Sequence, residues 1–103
     1  MKTIKIQLEY KCFPVWIYKD NGCVDDTIMP PELANDAELQ SRFDAIQDRF
    51  DATYIDNEIE FANKGFGSDE AESQFYRDLN EAVDELEAKC AGIYTVERRY
   101  GSY

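Results

Sequence analysis

Ile4, Ile6, Leu8 and Tyr10 alternate with polar residues across positions 3–10. A period of two is that of a half-buried strand. Val15-Trp16-Ile17-Tyr18 follows, built from β-branched and aromatic residues that favour strands. Pro14 suits a strand start or a bulge. Asn21-Gly22 signals a hairpin turn with positive φ at both central residues, which predicts a short returning strand at Cys23–Val24, running towards Thr27. Pro30-Pro31 ends this unit. The period then changes. Leu39, Phe43, Ile46 and Phe50 recur at spacings of four, three and four, which predicts an amphipathic helix over 36–53. Asn35 is the expected N-cap, with Glu38 completing a capping box. A turn at Asp56-Asn57 and a short strand through Ile59 and Phe61 come next, then a loop over 64–67. Ser68 caps a second helix whose buried stripe is Ala71, Phe75, Leu79, Ala82, Leu86 and Cys90. Gly92 is the expected C-cap residue, and a last strand covers 93–96.

The element order is β-β-(β)-α-β-α-β. It predicts one α+β domain over residues 1–103, with an antiparallel or mixed β-sheet packed against two amphipathic helices. The chain has 103 residues and is 44% hydrophobic, which gives a core large enough to fold without staples.

Charge changes this picture. There are 22 acidic and 11 basic residues, a formal net charge of −11. The excess sits in one stretch: residues 32–87 hold 17 acidic and 4 basic residues, net −13. Such a field repels nucleic acid and anionic membrane and attracts cationic surfaces. Neither direct nucleic-acid binding nor membrane binding is expected. No run approaches a membrane span, and Lys2 and Lys5 do not precede an apolar signal segment. The three cysteines, Cys12, Cys23 and Cys90, form no C-x-x-C motif and suit free thiols in a reducing cytoplasm.

Candidate chemistry is thin. The chain has no histidine, so the commonest general base is missing and a zinc site is not expected. Gly65-Phe66-Gly67 lacks the spacing and lysine of a phosphate loop, and Asp69-Glu70 would repel phosphate. The acidic stretches do not match a calcium loop. No metal, no cofactor and no catalytic residue is assigned. An enzyme built on two converging carboxylates is the weakest rival reading.

Binding is the stronger case. Asp44, Asp48 and Asp51 fall on the side of the first helix away from its apolar stripe. Glu81, Asp84 and Glu85 do so on the second. Rows of carboxylates on rigid helices meet a basic cleft with little ordering cost and raise the association rate. Phe50, Tyr54 and Tyr76 are aromatic candidates beside them, with core packing as the alternative for each. The alternative for the charges is a solvated surface.

Residues 10–18 (Tyr10-Lys11-Cys12-Phe13-Pro14-Val15-Trp16-Ile17-Tyr18), the Pro30-Pro31-Glu32-Leu33 break, the acidic helix from Leu39 to Phe50, and Glu60-Phe61 with Gly65-Phe66 together resemble small acidic immunity proteins. These belong to bacterial contact-dependent and other polymorphic toxin systems. The resemblance implies a cytoplasmic inhibitor that binds one cognate toxin, often a nuclease, and occludes its active site without turnover. The expected partner is a basic toxin domain, met through Asp44, Asp48, Asp51, Tyr54, Glu81, Asp84 and Glu85. A nucleic-acid mimic of the anti-restriction or anti-CRISPR type is the nearest rival, because its physics is nearly the same.

Overall fold

The computed structural model describes residues 2–56, 61–63 and 65–100, without the side chains of 54–56 and 61–63. Its elements in chain order are β1 (Lys2–Ile6), β2 (Val15–Tyr18), β3 (Val24–Asp26), a 3-10 turn at Pro31–Leu33, α1 (Ala37–Asp51), β4 (Tyr54–Asp56), β5 (Phe61–Asn63), α2 (Asp69–Lys89) and β6 (Tyr94–Arg98). The sheet order is β3-β2-β1-β6, with β4 and β5 as a separate antiparallel pair. β1 pairs antiparallel with β2, and parallel with β6, with Ile4 opposite Val96. A parallel neighbour needs a long crossover, and the whole helical segment supplies it. The architecture is therefore α+β, a mixed four-stranded sheet with two helices, as the hydrophobic pattern implies.

Alternation decides which sheet face is buried. Ile4, Ile6, Val15 and Ile17 share one hydrophobic cluster with Leu39, Phe43, Ile46 and Phe50 of α1 and Phe75, Leu79, Val83 and Leu86 of α2. Phe43 and Phe75 are the largest fully buried side chains. Burial of an aromatic or leucine of this kind contributes about 1.5–3 kcal/mol.

Local details differ from expectation in instructive ways. The cap of α1 is Asp36, not Asn35: its Oδ1 accepts from Leu39 N–H at 3.0 Å. Both residues have capping chemistry, and the one-residue offset follows from where Leu39 must point to reach the core. Asn21-Gly22 does make a hairpin turn, but of another kind. Gly22 N–H donates to Lys19 O, Lys19 N–H donates to Cys23 O, and only Gly22 has positive φ (+88°). This is a three-residue loop with a glycine bulge, and a separate one-residue register shift between β2 and β3 falls between Ile17 and Tyr18. The expected strand through Ile59 and Phe61 becomes the β4–β5 hairpin, with Ile59 itself outside the described residues. Ser68 caps α2 as expected, accepting from Ala71 N–H at 3.1 Å. Gly92 takes φ +81° just after that helix.

Phe50 and Tyr76, candidate contact aromatics, are each only 9% exposed and belong to the core. They sit in an aromatic group with Phe66 and Phe75. Cys90 is buried, as its place on the apolar stripe implies, and burial pushes its thiol pKa up.

Candidate functional site

The acidic residues divide into two groups according to what they face. The first group lies at the seam between the helices and along α2. Arg42 of α1 reaches Glu85 at 3.1 Å and Glu81 at 3.8 Å. Arg49, two turns on, pairs with Asp78 at 2.7 Å and lies 5.3 Å from the Phe75 ring centre. Lys89, at the end of α2, pairs with Asp36 at the start of α1 and stands 3.5 Å from Glu85. Arg98 of β6 pairs with Asp84 on the other flank of α2. Spacing explains the seam: Arg42 and Arg49 are seven residues apart and share one flank of α1. The carboxyls of Asp36 and Asp78 are held below their ordinary range, by the Lys89 ammonium for Asp36 and by the Arg49 guanidinium for Asp78.

The second group meets no cation among the described residues: it holds Glu38, Asp69 and Glu70 and, on the outer side of α1, Asp44 and Asp48. Asp44 and Asp48 are both exposed. Asp44 accepts from Gln40 Nε2 at 3.1 Å, and neither carboxylate meets a cation among the described residues. Two carboxylates one turn apart on a rigid helix make a fixed negative ridge.

Asp51 ends the same row but has a structural task. The turn from Glu9 to Cys12 closes by Cys12 N–H donating to Glu9 O, and it puts Lys11 at φ +57°, the left-handed region that side chains disfavour. Asp51 Oδ1 accepts from Lys11 N–H at 2.7 Å and from Gln47 Nε2 at 2.8 Å. Gln47 Nε2 also donates to Glu9 O at 2.9 Å. The β1–β2 turn is thus fastened to the C-terminal half of α1, beside the ridge.

Of the seven expected contact residues, the structure brings Asp44, Asp48 and Asp51 together on one row of α1. It engages Glu81, Asp84 and Glu85 with Arg42 and Arg98, and the side chain of Tyr54 lies outside the described residues. Sequence reasoning missed Asp36 and Asp78 as partners of Lys89 and Arg49. The seven-residue spacing of Arg42 and Arg49 was the available signal. Among the described residues no group of three or more potential ligands is placed to hold a metal, and no helix is long and apolar enough to cross a membrane.

Fold and surface together define a small α+β protein with an acidic helical flank. The family comparison narrows this: a family model described as Serratia CdiI immunity protein-like matches residues 2–100, and the chain belongs to that family. No curated protein matches the chain. Membership carries a toxin-neutralising role, exercised by binding a cognate toxin of a contact-dependent inhibition system.

Proposed function

We propose that the chain neutralises its toxin by docking the Asp44–Asp48 ridge of α1, with the adjoining turn at Tyr10 and Lys11, against a basic surface of the toxin domain. The supporting observation is that these two carboxylates are exposed and meet no cation among the described residues. A basic partner binding here displaces only water. Along α2 from Asp78 to Glu85 it would have to compete with Arg42, Arg49 and Arg98 for the same carboxylates. Strong basicity in a toxin is expected of an enzyme that handles a polyanion, so a nuclease is the favoured target. The action is stoichiometric occlusion in the cytoplasm, with no catalytic step. Glu81, Asp84 and Glu85 take a secondary part as a long-range field that steers encounter.

The test is protection of cells that express the toxin domain. Wild-type chain restores growth. The double variant Asp44→Lys, Asp48→Lys, folded by circular dichroism, fails to protect and leaves the toxin's nuclease activity uninhibited in vitro. Full protection by that variant would remove the α1 ridge from the interface.

A further inference from the structure

Both helices pack on one face of the four-stranded sheet. Because side chains alternate along a strand, the opposite face carries Thr3, Lys5, Trp16, Tyr18, Thr95 and Glu97. The pairing register aligns them in two rows. Tyr18, Thr3 and Thr95 are cross-strand neighbours, and so are Trp16, Lys5 and Glu97. Tyr18 is held by two neighbours: the Lys5 ammonium lies over its ring, 4.4 Å from the ring centre, and Gln7 Nε2 donates to its hydroxyl at 2.9 Å. A hollow of about 220 Å³ opens on this face between Thr3, Lys5, Tyr18 and Glu97. The Trp16 indole N–H is hidden from water and meets no acceptor among the described residues.

The charge here differs from that of the rest of the molecule. Lys5, Lys19 and Arg99 stand with Asp20 and Glu97 on and beside this face, three cations to two anions. Residues 32–87, which supply all but the last two residues of the helices, carry net −13. Contact between two copies through their helices would bring two strongly negative surfaces together, which costs several kcal/mol. Contact through the sheet faces brings two nearly neutral ones together.

We infer that the open sheet face joins two copies of this chain about a two-fold axis. An isologous contact must be complementary to itself. This face is: Lys5 and Glu97 occupy neighbouring strands in register, so a two-fold axis between them sets Lys5 of each copy against Glu97 of the other. Trp16 and Tyr18 supply aromatic area of the kind that dominates interface energetics. Each copy then holds its α1 ridge outward, free for its own toxin domain.

Sedimentation velocity on the full chain, from about 10 µM to about 1 mM, reads the association over the range where weak dimers form. A concentration-dependent dimer is expected. Lys5→Glu sets acidic groups opposite each other and weakens the dimer at least tenfold. Adding Glu97→Lys to it restores dimerisation. If Lys5→Glu does not fold by circular dichroism, Thr95→Arg, on the exposed part of the neighbouring row, reads the same contact. A chain that stays monomeric throughout, a dimer indifferent to Lys5→Glu, or no rescue by Glu97→Lys overturns the inference. So does a Lys5→Glu variant that loses toxin binding while its self-association is unchanged, because the face then belongs to the toxin.

Discussion

On α2, Asp78, Glu81, Asp84 and Glu85 each stand within 4 Å of an arginine of the protein itself. On the outer row of α1, Asp44 and Asp48 have no such neighbour among the described residues. The two helices look alike in composition, yet the same side-chain type does different work on each. A carboxylate beside an arginine ties α2 to α1 or to β6, and its field is partly cancelled at close range. A carboxylate facing water projects its charge outward. The difference teaches that net charge alone does not locate a docking surface. What locates it is the charge left over after the protein's own cations have been placed.

This contrast can be broken by mutation. The largest effect is expected on association kinetics. Asp44→Lys with Asp48→Lys should lower the on-rate for the toxin about tenfold or more at low salt, while leaving the melting temperature nearly unchanged. Stopped-flow mixing and thermal unfolding check the two halves separately. The charge-matched change on α2, Glu81→Lys with Asp84→Lys, should alter the on-rate much less. Equal effects from both helices would erase the distinction.

Asp51 lies between the two classes, and its removal should show in stability. Asp51→Ala leaves the Lys11 N–H without its acceptor, leaves Gln47 Nε2 with Glu9 O alone, and frees a strained turn. A loss of about 1.5 kcal/mol is expected in urea unfolding, the low end for a hydrogen bond to a charged group because the Lys11 contact is exposed. Arg42→Ala should cost less, about 0.5–1 kcal/mol, because its ion pairs are partly exposed and screened. It should leave the toxin on-rate unchanged or slightly raised, since two carboxylates lose their internal partner.

The smallest expected effects are in pH dependence. Asp36 and Asp78 have depressed pKa values, so their contribution to stability is present above the ordinary 3.8 and is lost as pH falls through the depressed values. Asp78→Asn should make the acid limb of the stability profile shallower. At the other end, burial, with a hydrogen bond to Glu32, raises the Tyr94 hydroxyl from 10.0 to about 12. A raised value gives stability that is full below pH 10 and lost as pH climbs towards about 12. Tyr94→Phe should remove that alkaline step.

Much of the scaffold was legible in the sequence because its determinants are local. The four-three-four spacing of Leu39, Phe43, Ile46 and Phe50 encodes one helix face, and Ser68 with Asp69, Glu70 and Glu72 encodes the start of the next helix. The alternation of Ile4 and Ile6 encodes a sheet with one buried face. Strand order was not legible, because nothing local tells β6 to lie parallel to β1, each paired residue being 92 positions from its partner. The site was legible only by residue type. Asp44 and Glu81 have the same local pattern, and what separates them is Arg42, which reaches Glu81 across 39 positions of sequence through helix packing. Phe50 and Tyr76 were ambiguous for a similar reason: a helix-edge aromatic becomes core only when a second aromatic group closes over it, as Phe66 and Phe75 do here.

The most direct measurement of the central claim is the rate of toxin association as a function of salt. Wild-type chain should bind with an on-rate that falls steeply as ionic strength rises, and the Asp44→Lys, Asp48→Lys variant should show a much flatter dependence. A wild-type rate indifferent to salt, or a variant with the full wild-type slope, would contradict the assignment of the α1 ridge as the docking surface.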